Sequence, residues 1–392
     1  MQEKKSPSIY LDHASTTPVR DEVVQAMAPY WQEQYGNPSS LHELGRAARV
    51  ALDNAREIVA GIFGSQFNEI IFTGSGTESD NLAILGTARR QGRGHIITTA
   101  IEHHAVLHSC QYLETQGFFV TYLKPDAEGF ITAEQVIRAL REDTILVSIM
   151  YANNEIGTIE PIAAIGRALG RWKQEHGRAT KNNRAVLPYF HTDACQAAGL
   201  LDLKVPELGV DLMTINASKI GGPKGVGALF VREGVELEPL VFGGGQERGL
   251  RSGTESVPLI VGLAEALRLA QQERLAEYKR LSSLRDWFIA EIKKIIPRTI
   301  VNGPRGEQRL ANNIHLSIPD TDSETLLFLL DQAGIYASTG SACTAGIIEP
   351  SHVLVACSAS PELARSSLRF TLGKKTTQAE LEYVLERLAR II

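Results

Sequence analysis

A lysine, an acid and a cysteine carry the chemistry that this sequence can do. Lys219 stands in Asn216-Ala217-Ser218-Lys219-Ile220-Gly221-Gly222-Pro223-Lys224-Gly225, between the apolar runs 212–215 and 228–231. An amine at a strand end, beside a small hydroxyl residue and ahead of a glycine-rich turn, can be approached closely by a planar ligand and can form a Schiff base. The plain alternative is a hairpin tip with a solvated lysine. Asp193, in Phe190-His191-Thr192-Asp193-Ala194-Cys195-Gln196, follows another apolar run. Pyridoxal 5′-phosphate (PLP) needs a lysine to hold its aldehyde as an imine and an acid to keep its pyridine nitrogen protonated, so that the ring can act as an electron sink. Cys343 lies in Ser338-Thr339-Gly340-Ser341-Ala342-Cys343-Thr344-Ala345-Gly346, a run of small residues that suits a moving thiolate nucleophile. A free thiol in a linker is its plain alternative.

The elements that must position these groups read as alternating strands and helices. Apolar runs at 69–73, 95–99, 118–123, 145–151, 185–190, 212–215 and 228–231 predict strands, and helical periodicity marks 77–91, 103–115, 133–141 and 161–175. Such alternation implies an α/β fold with a mostly parallel central sheet covered by helices on both faces. After Thr254 the pattern changes. A long helix over 257–295 leads to a strand at 313–318, a helix at 323–333, a strand at 367–371 and a helix at 377–388. This predicts a large domain over 16–256 and a smaller C-terminal α/β domain of 257–392 joined by 1–15.

Ligands of parallel sheets sit in the loops at the carboxyl ends of the strands. The first such loop, Thr73-Gly74-Ser75-Gly76-Thr77-Glu78, opens a helix; its backbone N–H groups, the helix dipole and the Thr77 hydroxyl suit a phosphate. An ordinary turn with Thr77 as N-cap is the alternative. In the second, Ile101-Glu102-His103-His104, His103 can lie flat on a pyridine ring and exchange protons. The third, Asn153-Asn154-Glu155-Ile156-Gly157, offers amides to a ring oxygen or a substrate carboxylate.

Composition narrows the class. The 392 residues carry a formal net charge of −5 and no basic run, which argues against direct nucleic-acid binding. The N-terminus lacks an apolar signal core and no apolar segment approaches membrane-spanning length, so a cytoplasmic protein with no membrane association is expected. Cys110, Cys195, Cys343 and Cys357 are scattered with no C-x-x-C pair, so neither a metal site nor a disulfide framework is expected. Cys195 reads as a packing residue, and Cys110 and Cys357 as helical residues without chemistry.

Taken in order and spacing, a series of motifs resembles the cysteine desulfurases, in the IscS/NifS branch of class V of the fold-type I PLP enzymes. The motifs are Tyr10-Leu11-Asp12-His13-Ala14-Ser15-Thr16-Thr17-Pro18, Gly36-Asn37-Pro38-Ser39-Ser40, Gly76-Thr77-Glu78-Ser79-Asp80-Asn81, Glu102-His103, Asn153 to Gly157, Asp193 to Gln196, Lys219, Glu247-Arg248-Gly249-Leu250-Arg251-Ser252-Gly253-Thr254, and Gly340 to Thr344. The resemblance implies that Lys219 is the Schiff-base lysine, Asp193 the partner of the pyridine nitrogen, and His103 the ring-stacking acid/base. Gln196 and Asn154 would contact the cofactor's phenolic oxygen. Gly76, Thr77 and Ser218 would hold its phosphate, with Thr254 reaching in from the second subunit of a homodimer. Arg369 would pair bidentately with the carboxylate of L-cysteine. Cys343 would take the sulfur as a persulfide, leaving L-alanine, and pass it to an acceptor protein for iron–sulfur assembly or thiolation of tRNA or cofactors; a transient iron–sulfur contact at Cys343 is the one metal contact implied. A selenocysteine lyase, another class V reaction, or a PLP-binding regulatory relative with weakened turnover stay open as alternatives.

Two positions depart from the branch. Its members usually carry Ser-x-His before the lysine, where this chain has Asn216-Ala217-Ser218, and Gly221 replaces a tyrosine. A neutral hydroxyl in place of an imidazole implies looser phosphate binding. The chain also ends at Ile392 without the tail with which housekeeping members dock scaffold proteins, so docking of that kind is not expected.

Overall fold

The computed structural model describes residues 8–179, 185–339 and 350–392. Its strands are β1 (Ile9–Tyr10), β2 (Ile70–Thr73), β3 (His95–Thr99), β4 (Phe119–Leu123), β5 (Thr144–Ser148), β6 (Arg178–Ala179), β7 (Val186–Leu187), β8 (Tyr189–Asp193), β9 (Leu212–Asn216), β10 (Gly227–Val231), β11 (Ile300–Val301), β12 (Asn313–Ser317), β13 (Ile335–Tyr336) and β14 (Ser367–Thr371). Seven of them form the central sheet in the order β2-β10-β9-β8-β5-β3-β4. The pairs β9/β8, β8/β5, β5/β3 and β3/β4 are parallel, and β10 runs against both β9 and β2.

Side chains of the inner strands alternate between two cores, as the two-residue period of a strand requires. Phe190, Met213, Ile215, Ala228 and Phe230 enter the core shared with the helices Glu43–Phe63, Ile162–His176 and Val257–Ile295. Tyr189, Leu212, Leu229 and Val231 face the other, against Gly76–Gln91 and His104–Thr115. Burial on both faces gives the inner strands their nearly unbroken apolar sequences.

The strand expected at 185–190 is displaced. Pro188, with no N–H to give a ladder, separates the short β7 from β8, and β8 continues to Asp193. Asp193 is therefore the last residue of a strand, as expected, but of one that begins at Tyr189. The helix Glu43–Phe63 was not apparent from the sequence. It is rich in alanine and carries three arginines, and its large fully buried apolar side chains are Leu52, Val59 and Phe63.

That long helix, Val257–Ile295, leaves the central sheet and ends against the second one, the antiparallel β11-β12-β14. Its residue Phe288 meets Phe370 of β14 with ring centres 5.7 Å apart. The chain start joins the same side: β1 pairs in parallel with β13, and Asp12 bridges to Thr371.

Candidate active site

Five strand ends deliver the groups singled out above to one edge of the central sheet. Lys219 closes the turn after β9. The turn connects an antiparallel pair, as a hairpin tip would, yet its amine is not left to solvent. Nζ donates to the carbonyls of Ala14 at 2.8 Å and Ser15 at 2.6 Å. The N-terminal segment lies along the turn: Thr17 donates through both N and Oγ1 to the Ser218 carbonyl at 2.8 Å, and Gly221 N donates to Thr17 Oγ1 at 2.8 Å. Gly221 has φ 78°, and a side chain here would meet Arg20 Cγ at 2.7 Å. Gln196 joins the same strap, its Nε2 donating to the Ala14 carbonyl at 2.9 Å.

Asp193, 7% exposed, ends β8 beside this turn and accepts from the Cys195 N–H at 2.9 Å. Cys195 packs as the sequence suggested. Its Sγ would lie 2.7 Å from a Cβ at position 76, so only glycine lets the helix Gly76–Gln91 approach. Burial, followed by the Asp193 charge, pushes its thiol well up. The N-cap of that helix is Ser75, whose hydroxyl accepts from the Glu78 N–H at 3.1 Å; Thr77 is exposed in the first turn. Ser75 takes the cap because it is the last extended residue after β2, with φ −173°.

Under Asp193 lies a buried polar layer that sequence reasoning missed. His191 Nδ1 meets Ser148 Oγ at 2.9 Å and Nε2 meets Thr214 Oγ1 at 3.1 Å. Asp80 Oδ1 is 3.6 Å from the same Nε2. Burial and then the Asp193 charge push the Asp80 carboxyl well above its ordinary range, while burial takes His191 down to about 4. The spacing of Asp80, one turn beyond Gly76 on the inner face of the helix, is the signal that could have found it.

His103 caps the helix His104–Thr115, its Nδ1 accepting from the Ala105 N–H at 3.1 Å. Burial lowers its pKa, the Asp193 charge opposes this and Lys219 adds to it. In the neutral ring the hydrogen is therefore on Nε2. Glu102 before it is fully buried, accepts from Thr99 Oγ1 and Met150 N at 2.9 Å each, and is pushed up to about 8 by burial.

Arg369 on β14 completes the arrangement from the smaller sheet. It is 2% exposed and donates to Asp12 Oδ1 at 2.8 Å, Ser15 Oγ at 2.9 Å and the Asn154 carbonyl at 2.9 Å. Ser351 and His352 tie the chain to the same region: Ser351 Oγ donates to Glu155 Oε2, and His352 Nε2 to the Glu102 carbonyl at 3.0 Å. Cys343 lies outside the described residues. Thr254 is exposed, three residues beyond Arg251, which pairs with Glu78 at 2.9 Å. Cys110 is buried on its helix, whereas Cys357 follows the short helix His352–Ala356 instead of lying on one.

The class-V aminotransferase model matches residues 9–384. The chain is 50% identical over 387 residues to the cysteine desulfurase IscS of Dictyoglomus turgidum, covering 98% of this chain and 94% of that protein. It is 48% identical over 391 residues to the IscS of Methanosarcina thermophila, covering 99% and 93%. The chain belongs to the class-V aminotransferases, among the cysteine desulfurases. A solved structure of a NifS-like protein superposes with a TM-score of 0.89 at 36% identity, covering 98% of this chain and 99% of that one.

This is a PLP-dependent family, and the donor set fits PLP. A strand-end amine, a buried carboxylate on the neighbouring parallel strand, a neutral imidazole and a helix N-terminus of small residues meet at one sheet edge. Asn216 and Ser218 are the outer residues of the triplet that departs from Ser-x-His, and Ser218 takes the place of the imidazole. Asn216 Oδ1 accepts from the Ser218 N–H at 3.3 Å, and its Cβ would stand 3.2 Å from a side chain at position 76.

Proposed function

We propose that this enzyme converts L-cysteine to L-alanine and passes the sulfur, as a persulfide on Cys343, to an acceptor protein serving iron–sulfur assembly or thiolation of tRNA or cofactors. The observation that carries this is the convergence of Lys219 and Arg369 on Ser15 of the N-terminal strap, beside the buried Asp193 at the end of the neighbouring strand, in a chain half identical to a cysteine desulfurase. When bound, PLP supplies a pyridine ring that withdraws electrons from the substrate's α carbon.

The protein's own groups do the rest. Arg369 takes the substrate carboxylate, which then shares the guanidinium with Asp12 and Ser15. Lys219 Nζ would move the α proton. His103 offers the hydrogen on Nε2, and Asp193 would balance the charge of a protonated pyridine nitrogen. Gly76, Thr77 and Ser218 would hold the phosphate, and Gln196 and Asn154 would serve the phenolic oxygen. The Cys343 thiolate attacks the substrate sulfur; an S–S bond forms, the Cβ–S bond breaks, and the electron pair stays with the carbon skeleton, which takes up protons as L-alanine.

The working unit in this reading is a homodimer in which Thr254 completes the partner's site. Apolar side chains exposed at Leu41 (90%) and Phe242 (73%), with Trp31 and Tyr35 nearby in sequence, support a covered surface. We place the domain division at 256/257, with 1–15 joined to 257–392, which the pairing of β1 with β13 supports. The proposed location is the cytoplasm; among the described residues no helix is long and apolar enough to cross a membrane.

The test is one assay with PLP, L-cysteine and a thiol reductant, following alanine and sulfide for the wild type and Cys343→Ala. Equal yields of both products, lost together in the variant, are expected. An imine band without either product would overturn the reading. Alanine that survives in Cys343→Ala with selenocysteine alone would redirect it to a selenocysteine lyase.

A further inference from the structure

The segment leading to Thr254 is held in a conformation that its residues would not choose. Glu247 and Arg248 have φ of 46° and 59°, left-handed backbone that non-glycine residues keep only where the surroundings impose it. The imposition is visible at Glu247. Its carboxylate accepts from Arg56 Nη2 at 2.6 Å and Nη1 at 2.8 Å, and from the Phe72 N–H at 2.9 Å. Both charges are buried, and the guanidinium lies 4.7 Å from the Phe72 ring centre. Phe72 is on β2, the edge strand of the central sheet, so the carboxylate takes a main-chain donor that no further strand takes up.

Four residues later the segment is fastened again. Arg251 Nε donates to Glu78 Oε1 at 2.9 Å, and Glu78 Oε2 accepts from the Gly74 N–H at 2.8 Å. Gly74 precedes Ser75, the cap of the helix whose first turn holds the phosphate in the reading above. Two ion pairs thus fix the segment, one to Arg56 on the helix Glu43–Phe63 and one to Glu78 in the first turn of Gly76–Gln91, while the Phe72 N–H ties it to β2. Glu78 is the acid in that first helical turn. A carboxylate there suits the helix's own dipole but repels a second anion arriving at the same terminus.

We propose that Arg251 is a positioning residue for the cofactor, acting through Glu78: it holds this carboxylate on the Gly74 amide and offsets its charge, so that the helix end accepts a phosphate dianion. The inference rests on the PLP reading and deepens it. Neither the phosphate loop alone nor the Thr254 segment alone suffices; the ion pair between them sets the electrostatics of the phosphate end.

The test measures the PLP dissociation constant from the imine absorbance, on the full chain freed of cofactor, for wild type, Arg251→Gln, Glu78→Gln and the double variant at low and high salt. Arg251→Gln is expected to weaken PLP by about tenfold, the worth of one charge interaction near a partly exposed site, with a smaller difference at high salt. Glu78→Gln, by itself and in the double variant, is expected to bind within about twofold of wild type. Arg251→Gln with unchanged affinity would overturn the inference, as would a double variant as weak as the single one, since a purely structural role is not repaired by removing the acid. If Arg251→Gln does not fold, Arg251→Lys keeps the charge and is expected to keep most of the affinity; a tenfold loss there overturns the charge argument. A wild type with no imine band would overturn the PLP reading itself, an outcome distinct from either.

Discussion

Arg369 Nη2 and Asp12 Oδ1 lie 2.8 Å apart, joining residues 357 positions distant in the chain. The guanidinium is almost wholly buried and spans both sides of the site, holding the Asn154 carbonyl at the end of the large sheet and Ser15 in the strap over Lys219. Arg369 and Lys219 thus meet on Ser15, one at its hydroxyl and the other at its carbonyl.

Substitution at this pair separates binding from folding. Arg369→Lys removes the fork and is expected to raise KM for L-cysteine by about ten- to a hundredfold, the worth of one charge-assisted hydrogen bond, with the PLP imine band intact. Asp12→Asn leaves a buried cation short of its counter-charge and is expected to lower Tm. L-Cysteine, whose carboxylate can stand in, should restore more Tm in Asp12→Asn than in wild type. Equal ligand shifts in the two proteins would argue against carboxylate binding at Arg369.

Ser218 stands where the resemblance to the IscS/NifS branch implies a histidine. Ser218→His is expected to tighten PLP by about one to two powers of ten, corresponding to about 1.5–3 kcal/mol for a charge-assisted hydrogen bond. A PLP titration that gives the same dissociation constant for both proteins would show that Asn216 and its neighbours already meet the phosphate's need.

Glu102 makes a pH prediction. Its carboxyl is raised from 4.5 to about 8, mainly by burial. A carboxyl raised on folding gives its full contribution to stability below pH 4.5 and loses it as pH climbs to about 8, with a slope approaching about 1.4 kcal/mol per pH unit. Glu102→Gln keeps the acceptor for Thr99 and Met150 and removes the titration. Its stability should fall less than that of wild type between pH 5 and 8, as read by chemical denaturation, and a parallel pair of curves would contradict this assignment.

The buried Arg56–Glu247 pair gives a third stability test. Glu247→Gln strands the Arg56 charge and is expected to destabilise by about 3–5 kcal/mol. Replacing both residues with methionine should be less harmful than either single change, because no unpaired charge remains. The comparison needs only the midpoints of denaturant unfolding for the single and double variants.

Much of this protein was legible in its sequence, for a physical reason. The strands ending near Asp193, Lys219 and His103 announce themselves because residues buried on both faces of a sheet must be apolar in short unbroken runs, and because close approach at a strand end selects small residues. These are local demands, and local sequence records them. The tertiary structure alone decided which residues complete the site. Asp12 and Ser15 meet Arg369, Glu247 meets Arg56, and Cys195 excludes any side chain at Gly76, each across large separations in the chain that leave no periodic trace. Likewise Ser75, not Thr77, caps its helix, because the extended backbone after β2 ends one residue before the helix begins. The ion pair at the start of the helix Gly76–Gln91 follows the same rule: Glu78 and Arg251 are 173 residues apart, and only the packing of one segment on an edge strand brings them together.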